Sequence, residues 1–411
     1  MKRTFTVMLA ICLLVGIFSG VSVAEDVVLE LWHVFPEGAH FWPQAAEMWN
    51  EKYGDQFRIE LRFVPQGDLR RELSTALMTG TEPDLVTVDN PHFASFAEIG
   101  AFADITDKVE QWGKAPLYFE GSWESVMYND RVYGLPIDSN TLALFYNKDM
   151  FREVGLDPEK PPTTWSELAE YAERLTDVAQ NRRGITFCAD RSEEGTFQFL
   201  PFIQQGGADI DNINAPGAVE ALALWTTFVK NGWASPEVIS GGQQASFSMF
   251  AEGHAAMAIN GPWVLYQLDD ADFEWGLTLL PVKDDVGIRS SALGGFNLGI
   301  LDSSPYTEQA WEFVQWLHED DVMIELYWNV LGGARIPPRT DIANLPGKWI
   351  EDEVMAVFID QLQYAKPRGP HPQWPQISAV IQTAIHESLT GIKTPQQALD
   401  DAAVQLAQFF K

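Results

Sequence analysis

The 411-residue sequence has little cysteine and little positive charge. Its two cysteines are Cys12 and Cys188, and Cys12 falls in an N-terminal apolar segment that we expect the mature protein to lose. A disulfide within the mature chain is then excluded, and a lone thiol is usually a small buried hydrophobe. With 27 basic against 58 acidic residues the formal net charge is -31, so nucleic acids and anionic membrane surfaces are poor partners.

Sequence motifs of enzymes are also missing. The chain has no G-x-S-x-G, no G-x-G-x-x-G, no P-loop and no H-E-x-x-H. Its seven histidines show no ligand-like spacing, and a calcium-loop start at Asp209 fails at Ile213, so we expect neither a metal nor another cofactor. A glycosidase needs two facing carboxylates, which sequence cannot identify among 58 acidic residues, so a secreted carbohydrate-active enzyme stays an alternative.

The N-terminus has the pattern of an export signal. Lys2 and Arg3 precede an apolar run over 7–18, and small residues at Ser22 and Ala24 suit cleavage after residue 24. The apolar run is shorter than the roughly 20 residues of a spanning helix, which disfavours the alternative of a membrane anchor. Cys12 lies inside this run rather than at its end, so we expect a soluble exported protein and not a lipoprotein.

Length and periodicity predict two α/β domains. The chain exceeds the roughly 250–300 residues that one core fills. Apolar and polar residues alternate over 57–63, and 28–32 and 85–89 also read as strands, with helical patterns over 41–53 and 69–78 between them. Alternating strands and helices indicate a mainly parallel sheet, whose ligands bind at the carboxyl ends of the strands. Capping boxes at Thr164 and Thr394 predict two helix starts further on.

The aromatic content favours a carbohydrate ligand. The chain has 15 Trp, 10 Tyr and 25 Phe, and several stand beside turn formers rather than on amphipathic faces. Aromatic planes cover the apolar C–H patches of sugar rings, while Asp, Asn, Gln and Arg form directed hydrogen bonds with the hydroxyls.

Six segments together resemble one protein family. They are 134–168, the G-x-A-A-M-x-x-x-G-P-W match at 253–263, the glycine pair Gly294-Gly295 with the strand at 298–300, 332–339, 370–374 and 388–391. In this order they resemble the family 1, maltose-binding-protein-like extracytoplasmic solute-binding proteins of ABC-type sugar importers. The likeness covers nearly all of the mature chain.

The resemblance implies a type II periplasmic-binding-protein fold of two α/β lobes, each with a mainly parallel sheet. Lobe one would comprise 25–138 and 299–342, and lobe two 139–298 and 343–411, with hinges at the crossings. It also implies a periplasmic monomer that catalyses nothing, holds a carbohydrate between the lobes and delivers it to the permease subunits of the importer.

The resemblance and the local sequence indicate aromatic site residues. Trp263 is expected to stack on the sugar, and Phe197 matches an aromatic wall, with core packing as the alternative for both. Trp374 stands in a Pro-rich loop and either lines the cleft or packs on the lobe surface. Trp32, with His33 and Phe35, ends the first strand, and we expect one of the three to line the cleft.

Polar site residues are expected at the strand ends and crossings. Asp138 and Asn140 lie at the first crossing and Asp89 after the third strand, each with a turn or cap as the alternative. Arg335 and Arg368 are expected to bond hydroxyls or to be surface charges, and Gly295 comes from the glycine pair.

The ligand is expected to be a neutral di- or oligosaccharide. The first crossing carries the acid Asp138, where relatives that bind glycerol-3-phosphate tend to have serines without an acid. An acid there would repel phosphate. A binder of glycerol-3-phosphate or a related phosphodiester is the alternative within the family, and a sensor that docks on a membrane receptor is the alternative outside it.

Overall fold

The structure is a computed structural model that describes residues 27–35, 40–284, 286–333 and 335–410. The predicted signal peptide, including Cys12, lies outside the described residues. Within those ranges, no helix combines the length and the apolar character needed to cross a lipid bilayer.

Strands and helices alternate along most of the chain. The strands are β1 Val28–His33, β2 Arg58–Phe63, β3 Leu85–Asp89, β4 Met127–Tyr128, β5 Arg131–Val132, β6 Gly134–Pro136, β7 Ala143–Asn147, β8 Met257–Asn260, β9 Trp275–Thr278, β10 Ser291–Ala292, β11 Phe296–Ile300 and β12 Ala365–Lys366. The α-helices of the first half are α1 Phe41–Tyr53, α2 Gln66–Thr79, α3 Asn90–Glu98, α4 Thr106–Trp112, α5 Glu120–Glu124, α6 Lys148–Glu153, α7 Trp165–Leu175 and α8 Glu193–Gln205. Those of the second half are α9 Pro216–Lys230, α10 Gln243–Ala251, α11 Thr307–Leu317, α12 Asp320–Ile324, α13 Thr340–Ala343, α14 Glu353–Leu362, α15 Trp374–Leu389 and α16 Pro395–Leu406. A π-helix, Glu325–Val330, follows α12, and a 3-10 helix, Pro262–Leu268, follows β8.

The first sheet has the strand order β2-β1-β3-β11-β6. Strands β1, β2 and β3 are parallel, as the sequence predicts, while β11 runs antiparallel to both of its neighbours. The alternating strand β2 lies at the edge, and its outermost apolar residue, Phe63, is 49% exposed for that reason. Strand β11 belongs whole to this sheet, so the predicted crossing at 298–299 falls inside a strand.

The second sheet has the order β8-β7-β9, and β7 is antiparallel to both neighbours. A mainly parallel sheet was predicted for each lobe, and for these strands the prediction is wrong. Strand β7 is buried along its whole length. The apolar pattern of such a strand is the same whether its neighbours run parallel or antiparallel to it, so the sequence pattern does not predict their direction.

Two apolar cores lie on opposite faces of β7. Ala143 and Phe145 belong to the core that also covers the first sheet, whereas Leu144 and Tyr146 belong to a core under α7, α8, α9, α15 and α16. Successive side chains of a strand point to opposite faces, so one strand contributes to both cores. The predicted α/β class is confirmed.

Both predicted capping boxes are confirmed. The Thr164 hydroxyl accepts from the Glu167 amide at 3.2 Å, and the Glu167 carboxylate accepts from the Thr164 amide, which starts α7. Thr394 and Gln397 make the same reciprocal pair at the start of α16. The four orphan amides of a helix N-terminus explain why such pairs define where a helix begins.

Candidate functional site

A cavity of about 690 Å³ lies where the two sheets face each other. Its walls come from the residues after β1, the end of β3, the turns around β6 and β11, the first turns of α8 and α10, and the 3-10 helix Pro262–Leu268. The carboxyl ends of β1 and β3 were predicted to hold the ligand. Eight predicted site residues line this cavity, namely Asp89, Asp138, Asn140, Phe197, Trp263, Gly295, Arg335 and Arg368.

Two predicted site residues lie away from the cavity wall. Trp374 is fully buried at the start of α15, where its Nε1 donates to Glu193 Oε1 at 3.0 Å. Trp32 faces α2 rather than the cavity, and the Arg62 guanidinium covers its ring at 4.2 Å. Strand alternation explains the second correction, because side chains two positions apart share a face and Trp32 lies three positions before Phe35, which does line the cavity.

Aromatic side chains form the apolar part of the wall. The rings of Phe197 and Trp263 meet at 5.9 Å between centroids, and Phe35 meets Phe296 edge-on at 5.2 Å. Trp263 is only partly buried, although both apolar cores contact it. A side chain at position 261 would collide with the Trp263 ring at 2.0 Å, so Gly261 is needed to let the ring fold back over the chain.

Arg368 is the centre of a buried ion-pair network. Its guanidinium donates to Asp89 Oδ1 at 3.0 Å and to Glu193 Oε1 at 2.8 Å, and also to the Asn90 side chain. The same group lies over the Phe197 ring at 4.6 Å. Arg368 therefore joins the end of β3 to the start of α8, and a surface charge is excluded because the residue is 5% exposed.

A second pair joins Arg335 to Asp138. Arg335 Nη1 donates to Asp138 Oδ2 at 2.6 Å, and the Phe296 amide donates to Oδ1 at 2.9 Å. Both carboxylate oxygens thus already have protein donors, and the residue is 3% exposed. The expectation that Asp138 accepts sugar hydroxyls is not supported by this geometry. Asp138 instead positions the Arg335 guanidinium, which lies over the Phe35 ring at 3.9 Å from its centroid.

The glycine pair before β11 allows close approach of two chain segments. Gly295 has φ +133°, and a Cβ there would lie 2.2 Å from the Asp138 carbonyl oxygen. A Cβ on Gly294 would lie 2.0 Å from Asn140 Oδ1. Any larger residue would push apart the segments that carry Asp138 and Asn140, which is a physical reason for the glycines at this position.

Sequence reasoning missed the polar residues at the first turns of α8 and α10. Glu193, Glu194, Gln243 and Gln244 all line the cavity. Glu194 Oε2 accepts the Gln243 backbone amide at 2.7 Å, so the carboxylate caps α10 from another helix. In the sequence, each of these two helices begins with a pair of polar residues, which is the signal that could have indicated them. The two pairs come together only because α8 lies beside α10 in the fold.

Burial raises the pKa of the Glu194 carboxyl above its ordinary value. The Gln243 amide opposes this rise in pKa, while the nearby carboxylates Asp190 and Asp89 add to it. Cys188, Asp190 and Glu194 place possible metal-ligand atoms within 4.8 Å of one another. Burial strongly raises the pKa of the Cys188 thiol, however, and a protonated thiol that donates to Asp190 is a poor metal ligand.

The sequence profile described as bacterial extracellular solute-binding protein matches residues 44–357, more than half of the chain. The chain belongs to the bacterial extracellular solute-binding proteins. This confirms the family that the sequence motifs resemble. A member of this family binds a solute outside the cytoplasm, and the cavity between the two sheets offers space for one.

Relatives with named ligands cover most of the chain. A maltotriose-binding protein of Pyrococcus abyssi is 28% identical over 366 residues, which are 85% of this chain and 74% of the relative. A galactooligosaccharide-binding protein of Bacillus subtilis is 27% identical over 344 residues, 79% of this chain and 76% of the relative.

Solved structures of solute-binding proteins share the fold. An ABC transporter solute-binding protein of Thermotoga lettingae, bound with α-D-tagatose, superposes with a TM-score of 0.83 at 29% identity, covering 94% of this chain and 100% of that one. The maltose-bound MalE3 of T. maritima gives a TM-score of 0.82 at 24% identity, with 94% and 100% coverage. The predicted two-lobed fold is thereby confirmed.

Proposed function

We propose that this solute-binding protein captures a saccharide in the cavity between its sheets and delivers it to an ABC importer. The observation that carries the proposal is the wall itself, which combines aromatic faces with hydrogen-bonding groups that have no partner among the described residues. Named relatives bind maltotriose and galactooligosaccharides, and a structural neighbour holds tagatose, which supports a carbohydrate as the ligand class.

Two donors at the cavity are buried without an acceptor in the described part of the chain. They are Arg368 Nε and Gln243 Nε2, on residues that are 5% and 7% exposed. An unsatisfied buried donor destabilises a protein by roughly 1–3 kcal/mol, so ligand oxygens that accept from these donors would recover this free energy on binding.

Two acceptors at the cavity are also free of protein donors among the described residues. Asp89 uses Oδ1 for Arg368, and Glu194 uses Oε2 for Gln243, which leaves Oδ2 and Oε1 available. Each sugar hydroxyl can donate one hydrogen bond and accept another, so a saccharide matches a wall that offers both types. The side-chain amide of Asn140, which has no hydrogen bond within the described structure, adds both a donor and an acceptor.

The charges of the wall argue against a phosphorylated ligand. Four carboxylates face two guanidiniums, and both guanidiniums are already ion-paired within the protein. A phosphate would have to compete with Asp138 for Arg335, or with Asp89 and Glu193 for Arg368. The volume of about 690 Å³ lies within the range of roughly 300–1,000 Å³ for ligand pockets, which leaves room for a di- or oligosaccharide.

The remaining parts of the proposal follow the family resemblance. The protein would be exported by a cleaved signal peptide over 1–24, act as a monomer in the periplasm without lipid attachment, and dock on permease subunits. Its lobes would be 25–138 with 299–342 and 139–298 with 343–411, closing about the crossings between them. Because the bound at 298–299 falls inside β11, which starts at Phe296, we propose that the middle hinge lies instead at the Gly294-Gly295 pair.

A saccharide panel tests the proposal. A true ligand at 100 times Kd adds about 2.7 kcal/mol to the native state and raises Tm. The panel should contain maltose, maltotriose, galactooligosaccharides, tagatose and glycerol-3-phosphate. The ligand should be recovered unchanged after long incubation. Steady cleavage by stoichiometric protein would favour the enzyme alternative, and a Tm response to glycerol-3-phosphate alone would favour the phosphate binder.

A further inference from the structure

Carboxylates outnumber cations around the cavity. The four acids Asp89, Asp138, Glu193 and Glu194 face the two bases Arg335 and Arg368. Arg335 pairs with Asp138, and Arg368 pairs with both Asp89 and Glu193. Glu194 is the member of this group for which the described residues offer no ion-pair partner.

Among the described residues, no cation forms an ion pair with Glu194. One carboxylate oxygen accepts the Gln243 backbone amide at 2.7 Å, at the N-terminus of the nine-residue helix α10. The other oxygen has no protein donor within the described structure. Asp190 and Asp89 are the charged groups that act on it most, and both carry the same sign. A buried carboxylate is stable only when it is paired and hydrogen-bonded.

A neutral donor lies beside this carboxylate. Gln243, whose backbone amide binds Glu194, also carries the Nε2 donor that has no acceptor. Among the described residues, the wall therefore presents a carboxylate without an ion-pair partner and an amide donor without an acceptor, on two residues that contact each other. The complementary ligand has a positive donor next to a neutral acceptor.

We propose that the cavity selects a saccharide with a protonated amine next to a hydroxyl, with Glu194 accepting from the ammonium and Gln243 Nε2 donating to the hydroxyl oxygen. This inference rests on the proposed function and narrows its substrate class to amino sugars. A hydrogen bond between charged groups is about twice as strong as a neutral one, and the attraction is larger in a partly buried site than in water.

Isothermal titration calorimetry with matched sugars near neutral pH tests the inference on the full mature chain. One series is glucosamine, N-acetylglucosamine and glucose, and the other is the β-1,4-linked dimer of each. Within a series only the group at carbon 2 changes, between ammonium, acetamide and hydroxyl. The ammonium sugar is expected to bind at least about tenfold more tightly than its hydroxyl counterpart, where tenfold corresponds to about 1.4 kcal/mol.

The variant Glu194→Gln isolates the charge. It keeps the shape and an oxygen for the Gln243 amide, and it should bring the affinity ratio between ammonium and hydroxyl sugars close to one. Glu173→Gln, at an exposed position on α7, makes the same change in net charge and should leave the ratio as in the wild type.

The outcomes separate the two proposals. Equal or tighter wild-type binding of the hydroxyl sugars overturns the amine preference but leaves saccharide binding intact. A preference for the ammonium sugar that persists in Glu194→Gln overturns the assignment to Glu194. If neither series nor any neutral saccharide of the panel above binds, the proposed function itself fails.

Discussion

At the residue scale, the cavity is defined by which hydrogen-bonding groups the protein leaves unused. Asp138 and Arg368 both line it, yet each carboxylate oxygen of Asp138 already accepts from a protein donor, whereas Arg368 Nε has no acceptor among the described residues. The sequence indicates both residues through the family resemblance. It does not show which of their hydrogen-bonding atoms are already used within the protein. The difference depends on Phe296 and Arg335, which are about 160 and 200 positions from Asp138.

The Trp263 ring is expected to carry a large part of the binding free energy. Trp263→Ala should weaken saccharide binding by roughly 2 kcal/mol, or about 30-fold, as for central aromatic anchors. The protein should stay folded, because the ring is only partly buried. Calorimetry for affinity and thermal unfolding for stability measure the two effects. Trp123→Ala, at a half-buried position outside the cavity, should leave affinity unchanged, and equal affinity in both variants would assign Trp263 to packing.

Glu194 should lower the stability of the ligand-free protein near neutral pH. Burial raises its pKa in the folded state, so the folded protein binds this proton more tightly than the unfolded chain. Protonation of Glu194 therefore adds to the free energy of unfolding as pH falls. This contribution is lost as pH rises through the folded-state pKa. Glu194→Gln should raise Tm near neutral pH. This increase should become smaller as the pH is lowered towards the ordinary pKa range of a carboxyl group. A lower Tm than that of Glu173→Gln at neutral pH would contradict this.

At the element scale, the sequence predicts helix bounds and helix starts correctly where they depend on interactions between residues close in sequence. The span of α1 agrees residue for residue with the helical pattern over 41–53, and both capping boxes form as written in the sequence. Strand direction in the second sheet was not predictable, because pairing of β7 with β8 joins residues more than 100 positions apart. The prediction that Trp32 lines the cleft is wrong for a similar reason, because the face of a buried strand that points to the ligand depends on the elements packed around it.

The capping box at Thr164 offers a stability test that does not involve the site. Thr164→Ala removes the hydroxyl that accepts the Glu167 amide and should lower the free energy of unfolding by about 1 kcal/mol. Thr394→Ala should act in the same direction on α16 and should add to the first change, because the two helices are separate elements. Denaturant unfolding measures both. Saccharide affinity should be that of the wild type, and a loss of affinity would mean that α7 helps to position the cavity.

At the scale of the whole molecule, the site exists only where distant segments meet. Asp89, Glu193 and Arg368 are separated by about 100 and 175 positions, yet one guanidinium contacts both carboxylates. The sequence could indicate the individual residues by family likeness and strand-end position, but not their mutual pairing. The same arrangement connects the two sheets, because β3 belongs to the five-stranded sheet and α8 packs in the core on the far face of β7.

This connection predicts how the molecule moves on binding. A ligand contacted from both sheets has a higher affinity for a closed arrangement, and that difference shifts the population towards closure. The radius of gyration from small-angle X-ray scattering should therefore fall when wild-type protein is saturated with saccharide. Arg368→Gln removes the charge that joins Asp89 to Glu193, so its ligand-free radius should exceed that of the wild type, while Arg174→Gln, at an exposed position on α7, should not change it. An identical radius with and without ligand at proven saturation would exclude hinge closure, and a ligand-free Arg368→Gln as compact as the wild type would show that the ion pairs do not hold the sheets together.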